Sequence, residues 1–184
     1  MIKKLISIIL LIFVIINAYA GIFENEEETK HSLAVLPFEN LTGNHEFNDI
    51  VNDVSHIMFQ YLYKYGKFRL IEMENISDIV GEDFPDGKLL KRDDYLKAVK
   101  SLGVELILYG NIRQIDTFSD NKKHHLIKTK IDARLVRLLN GEIIFMETAV
   151  GEIKIEPQKL ISMNDKLLAI DKAIKKLAKI ISKQ

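Results

Sequence analysis

The run Ile127-Lys128-Thr129-Lys130-Ile131-Asp132-Ala133-Arg134-Leu135 switches between apolar or small side chains and charged ones at nearly every step. Successive side chains of an extended strand point to opposite faces, so this period of two puts Ile127, Thr129, Ile131, Ala133 and Leu135 on a buried face. Lys128, Lys130, Asp132 and Arg134 then lie on a wet one. Asn140-Gly141 follows, a dipeptide suited to a type I′ hairpin because both central residues of that turn take positive φ. Ile143-Ile144-Phe145-Met146, then Val150, Ile153 and Ile155, supply the returning strand. This is the clearest strand pair in the chain, and its strands are long.

Downstream, Met163, Leu167, Ile170, Ile174, Leu177 and Ile181 form one apolar stripe, with Lys166, Lys172, Lys175, Lys176, Lys179 and Lys183 on the remainder of a terminal helix. Such a helix reads as a cover for the sheet; the alternative is a basic amphipathic helix laid on a membrane or a partner. Upstream, Val104 to Ile115 reads as a largely buried strand interrupted at Gly110. A helix precedes it, capped by Asp93 or Asp94, running through Ser101 and closed by Gly103.

Earlier still, Leu33-Ala34-Val35-Leu36 is a continuous apolar run stopped by Pro37, the mark of a strand buried on both faces. The turn residues Asn40, Thr42, Gly43 and Asn44 come next. Phe47, Ile50, Val51, Val54, Ile57, Met58, Tyr61 and Leu62 then recur at helical spacing up to Gly66, which can take the left-handed conformation at a helix C-terminus. Phe68 to Ile71 reads as a short strand, Glu74 to Val80 as a weaker helix, and Gly81 to Gly87, with Pro85, as a loop. The expected order is β-α-β-α-α-β-β-β-α, an α/β (α+β) sandwich with a mixed β-sheet and packed helices.

The amino terminus sets the compartment. Lys3 and Lys4 precede an apolar run from Leu5 to Ile16, and Ala18-Tyr19-Ala20 offers small residues at a peptidase site, so residues 1–20 read as a cleaved signal peptide. An uncleaved anchor is the alternative, but a spanning helix needs about 20 apolar residues and Asn17 interrupts this run. Residues 21–31, with Glu24, Glu26, Glu27 and Glu28, read as a flexible acidic lead-in, and residues 32–184 as a single domain. Removing residues 1–20 takes away Lys3 and Lys4, so 26 basic side chains become 24 against 26 acidic ones, a net charge of −2. That balance argues against nucleic acid as a partner, since its recognition rests on a basic surface.

Catalytic chemistry finds little support. Cysteine is absent, which excludes disulfides, thiolate metal sites and lipidation at the signal-peptide junction. No serine sits in a Gly-x-Ser-x-Gly elbow, and the nine glycines form neither a P-loop nor a dinucleotide fingerprint. His124-His125 would point to opposite faces of a strand and cannot readily share a metal. Glu82, Asp83, Asp86, Asp93 and Asp94 lack the spacing of a calcium loop. No enzyme activity, cofactor or metal is expected.

Four segments carry a family resemblance: Leu33 to Asn40 with Gly43; Lys67 to Glu72; Ser101 to Ile112; and Ala133 to Ile144. In this order the chain resembles the curli assembly and transport (CsgG-like) proteins. It also resembles relatives that share their core, the amino-terminal domain of the Tol translocation protein and the periplasmic lipoprotein activators of penicillin-binding proteins. The resemblance implies an anticodon-binding-domain-like core used for protein contacts in a bacterial envelope, with Pro37, Phe38, Asn40, Gly43, Phe68, Glu72, Gly103, Gly110, Asn140 and Gly141 as its structural positions. Met73 stands where such sequences often carry an arginine, so no role is carried over there.

The expected function is an exported, non-enzymatic periplasmic interaction module serving envelope assembly, secretion or cell-wall synthesis. It would bind an envelope protein, or further copies of itself, through an open sheet edge. Its place would be the periplasm or the periphery of the outer membrane, without a lipid, and any membrane association would run through partners or the lysine-rich terminal helix. The alternative is a subunit of an oligomeric outer-membrane secretion pore of the curli type. A short polar loop from Asp116 to His125 and charged strand faces fit such a pore poorly.

Overall fold

A computed structural model describes residues 30–71, 92–120 and 124–184 of the protein. The signal peptide, nearly all of the acidic lead-in, Glu72, the helix expected over 74–80, the loop over 81–87 and the acidic residues Glu82, Asp83 and Asp86 lie outside the described residues. Within them, β1 (Ser32–Val35), β2 (Glu39–Asn40), β3 (Arg69–Ile71), β4 (Leu106–Asp120), β5 (His124–Arg137) and β6 (Ile143–Ile155) form one mixed sheet in the order β3-β1-β4-β5-β6, with the two-residue β2 also paired to β4. Strands β1, β2 and β3 run parallel to their neighbours. Strands β4, β5 and β6 form an antiparallel meander.

The β1 run is buried throughout, as its unbroken apolar sequence requires. Leu36 still donates its N–H to the Leu108 carbonyl at 2.8 Å, whereas Pro37 has no N–H to give and interrupts the ladder. Phe38 donates instead to Ser55 Oγ at 3.0 Å, and pairing resumes when Glu39 and Asn40 meet Asn111 and Ile112.

Helices α1 (Ile50–Tyr65) and α3 (Met163–Ile181) pack together on one face of the sheet. Between them and the strands lies the main core, which joins Leu33, Phe38, Val54, Met58, Leu108, Ile131, Leu135, Phe145, Ile170, Ile174 and Leu177. The terminal helix is thus a cover for the sheet: Ile170, Ile174, Leu177 and Ile181 are fully buried, and its apolar stripe is unavailable to a membrane. A Ser162–Asp165 capping box starts α3, and Gly66, at φ 66°, ends α1 in the left-handed conformation.

On the opposite face, α2 (Arg92–Ser101) covers only one end. Val99 and Leu96 pack there with Ala34, Leu36, Ile107, Val136 and Tyr109. Gly103, at φ 64°, follows that helix. Because α2 begins at Arg92, Asp93 and Asp94 fall inside its first turn rather than ahead of it.

Two expectations about the meander need correction. The segment from Asp116 to His125 is mostly strand, since β4 runs to Asp120 and β5 starts at His124, with Thr117 opposite Ile127 and Phe118 opposite Leu126. Polar side chains are tolerated in it because one face is open to water. The Asn140-Gly141 turn is also longer than a two-residue type I′ hairpin, for β5 ends at Arg137 and β6 starts at Ile143. Leu138 sends its N–H to the Glu105 carbonyl at 2.9 Å rather than turning back. The loop then closes through Arg137 N–H to Glu142 at 2.8 Å and Gly141 N–H to Arg137 at 2.9 Å.

Candidate functional site

Some of the positions carried by the resemblance shape the connection between β1 and α1. Asn40 Nδ2 donates to the Asn44 carbonyl at 2.8 Å and to Asn48 Oδ1 at 2.7 Å, while its Oδ1 accepts from Thr42 N–H at 3.0 Å, which folds the loop between β2 and α1. Gly43 takes φ 78° in that loop. Phe38 is 2 % exposed and packs on Gly110. Phe68 is buried ahead of β3, and Asn140 Oδ1 accepts the Glu142 N–H at 3.1 Å beside Gly141 at φ 73°. These residues shape the backbone and the core.

Among the described residues, the half of the sheet face beyond α2 is covered by no other element. Register fixes its rows. Tyr109, Arg134 and Met146 lie side by side, then Asn111, Asp132 and Thr148, then Gln114, Lys130 and Val150, then Asp116, Lys128 and Glu152. A bulge between Ile112 and Gln114 shifts the register of β4 at that point. Arg113 Nε there donates to Asp132 Oδ2.

The strand alternation predicts Asp132 on a wet face, yet it is 7 % exposed. Its second oxygen accepts from Thr148 Oγ1 at 2.7 Å, so both carboxylate oxygens are used. Lys128 Nζ pairs with Glu152 at 3.0 Å and holds that carboxyl below its ordinary range. Gln114 donates to Asp116. All three carboxylates of these rows are thus engaged. Among the described residues Lys130, Arg134 and Lys154 on the same face make no ion pair, and Arg134 Nε is buried without a hydrogen-bond partner. This arrangement escaped sequence reading because it depends on the bulge and on the register of three strands.

The outer edge of the sheet is β6. It is not fully open, because two lysines of α3 reach round it: Lys176 Nζ donates to the Val150 carbonyl at 2.6 Å and Lys172 Nζ to that of Glu152 at 3.1 Å. Toward the other end of β6, Ile143 and Met146 are exposed. At the start of β1, His31 and the Ser32 N–H meet Glu105 Oε2, each at 3.0 Å, and together hold its carboxyl below the usual range. Among the described residues no three His, Asp or Glu side chains gather to hold a metal, and no helix is long and apolar enough to cross a membrane.

No curated protein matches the sequence. Lipoprotein GNA1162 from Neisseria meningitidis superposes with a TM-score of 0.53 at 12 % identity, covering 81 % of this chain and 99 % of that one. Protein CT253 from Chlamydia trachomatis gives 0.50 at 13 % identity, covering 84 % and 92 %. Both share the mixed α+β fold. The C-terminal domain of LpoB from Escherichia coli is 18 % identical, covers 71 % of this chain and 90 % of that domain, and has a TM-score of 0.49.

A family match decides among the relatives to which the sequence points, and it falls on the activators of peptidoglycan synthesis rather than on the curli channels. Since the matched stretch runs over residues 15–150, most of the sequence, the chain belongs to the family of the peptidoglycan-synthase activator LpoB.

Proposed function

We propose that this chain is an exported, non-enzymatic activator that binds a peptidoglycan synthase in the periplasm and raises its rate. The family match over residues 15–150 carries this reading. The half of the sheet face that no described element covers supports it, since it offers mixed polar and apolar side chains for protein contact and its carboxylates are spent on hydrogen bonds rather than poised for catalysis. Residues 1–20 would serve as the leader. Without a cysteine, retention near a membrane would come through the partner. The charged rows Lys128, Lys130 and Arg134 argue against a pore, because a lipid-facing strand needs an apolar outer face.

A partner without chemistry of its own accelerates an enzyme by binding its active conformation more tightly than its resting one; a tenfold shift in that equilibrium takes about 1.4 kcal/mol of differential binding. The test is the polymerisation rate of the synthase from the same organism on its lipid-linked substrate, with and without the purified chain. A saturable, several-fold acceleration is expected. An unchanged rate at saturating concentration refutes the proposal.

A further inference from the structure

Going beyond the synthase reading, we infer that the outer side of the two covering helices, where α1 and α3 end, is a contact surface for an anionic lipid bilayer, with Lys175, Lys179 and Lys183 as its central row and Tyr63 on α1 as its aromatic contact.

Charge is spread unevenly over this helical layer. Residues 54–67 and 172–184, the later parts of α1 and α3 with the chain that follows each, contain seven lysines and no aspartate, glutamate or arginine. The two stretches meet, since Tyr65, Gly66 and Lys67 line one cleft with Ser182 and Gln184. The acidic side chains of the layer lie at the other end, with Glu46, Asp49 and Asp53 around the start of α1, where Lys166 sits 4.9 Å from the centre of the Phe47 ring. Asp171, one turn before Lys175, is half-buried and accepts the Tyr61 hydroxyl, and Glu152, which feels the charge of Lys176, is paired with Lys128. The mature chain carries 24 basic side chains against 26 acidic ones, so attraction to an anionic surface has to come from a local patch of this kind.

The fold turns these lysines outward. Ile170, Ile174, Leu177 and Ile181 are buried against the sheet, which sends Lys175, Lys179 and Lys183 to the opposite side at steps of four residues, about 6 Å along the axis. All three are exposed, and among the described residues neither they nor Lys64 form an ion pair. Complementing the helix dipole accounts for a lysine in the last turn but not for Lys175, which precedes it. On α1, Tyr63 is 75 % exposed next to Lys64. Lysine is a hydrated point charge on a flexible stem and suits mobile lipid phosphates, whereas fixed carboxylates on a protein favour the planar fork of arginine, which this surface lacks. A tyrosine can set its ring at the level of the headgroups with its hydroxyl in water. Because the apolar stripe of α3 is committed to the core, the contact is electrostatic and inserts no helix.

The experiment is flotation of the mature chain with vesicles of phosphatidylglycerol and phosphatidylcholine in equal parts, against vesicles of phosphatidylcholine alone. Binding to the anionic vesicles only, weakened steeply by added salt, is expected. Lys175→Gln/Lys179→Gln/Lys183→Gln should melt like the parent and bind about tenfold or more weakly, given about fivefold per lysine near such a surface. Lys97→Gln/Lys130→Gln/Lys154→Gln, which removes the same charge elsewhere, should bind within about twofold of the parent, because that loss lies off the contact surface. Tyr63→Ser should weaken binding severalfold. No binding by the parent, unchanged binding by the first triple variant, or an equal loss in both triple variants overturns the inference. So does binding that survives Tyr63→Ser and is competed by soluble polyglutamate as well as by further vesicles, the outcome expected of an acidic protein partner. Should the first triple variant not fold, Lys179→Gln alone decides: about fivefold weaker binding supports the inference and unchanged binding overturns it. Each result is read whether or not the chain accelerates a synthase.

Discussion

Gly110 lies directly beneath the ring of Phe38, so close that a β-carbon at the glycine would come within 2.8 Å of Phe38 Cδ1 and nearer still to Cε1 and to the Asp132 carbonyl oxygen. The contact follows from Pro37, which releases the chain from the β4 ladder and lets Phe38 tie its N–H to Ser55 on α1 while its ring enters the core. Gly110→Ala should therefore destabilise the protein by about 1 to 3 kcal/mol through overpacking, and Phe38→Ala by about 3 to 5 kcal/mol through a cavity. In a double-mutant cycle by urea unfolding, the alanine at 110 should cost less once the ring is gone. It should still cost something, because the Asp132 carbonyl stays. Strict additivity would mean that ring and glycine are not coupled.

Tyr61 on α1 donates its hydroxyl to Asp171 Oδ1 on α3 at 2.9 Å, the hydrogen bond that ties the two covering helices together. Burial first, and then the neighbouring carboxylate, push the phenol up to about 12. The folded state therefore holds this proton more tightly than the unfolded chain, whose phenol titrates near 10. The stabilisation is complete below pH 10 and is lost as pH rises from there through 12. Tyr61→Phe should cost about 1 kcal/mol at neutral pH and should flatten the fall in melting temperature between pH 10 and 12. An unaltered alkaline profile in that variant would assign the fall to other groups.

The sequence made α1, α3 and the buried faces of the strands legible, because their periods are local properties of the chain. The alternation from Ile127 to Leu135, the burial of β1 and the stripe of α3 all follow from side-chain direction alone. What depended on long-range geometry was less visible. Gly151 stands in β6 because a β-carbon there would run into the backbone of Ala169 and Ala173 on α3, a constraint that appears only when helix and strand are packed. Asp132 reads as one more polar residue in an alternating strand until the β4 bulge brings Arg113 onto it. Asn140-Gly141 is a strong dipeptide signal for a two-residue turn, but Leu138 is drawn toward Glu105, and a contact so distant in sequence lengthens the turn.

At the start of α3, Asp165 Oδ2 accepts from both Ser162 N–H at 2.9 Å and Ser162 Oγ at 2.6 Å, and Lys159 Nζ reaches Oδ1 at 2.8 Å. The lysine chiefly, and then the serine, lower this carboxyl to about 2. Its contribution to stability is present above the unfolded value near 4 and is lost as pH falls toward 2. Asp165→Asn should therefore show a shallower loss of stability across that window in melts taken at successive acid pH values. Ser162→Ala, which removes the cap hydroxyl, should cost about 1 kcal/mol at neutral pH. Parallel acid profiles for the parent and Asp165→Asn would remove the carboxylate from the account.

Lys172 and Lys176 are one helical turn apart on α3, and both send their ammonium groups to carbonyls of β6, the last strand of the sheet. An edge strand with free carbonyls is a template for another strand, and lysines are a common means of blocking it. The two side chains thus protect the stretch around Val150 to Glu152, where odd-numbered neighbours face the core and even-numbered ones face the bare half of the sheet. Replacing both with alanine leaves the helix buried face untouched, so the fold should persist with a similar melting temperature. The freed carbonyls should then pair between molecules, seen as larger species growing with concentration in sedimentation velocity. A double variant that sediments like the parent at every concentration would show that these lysines do not guard the edge.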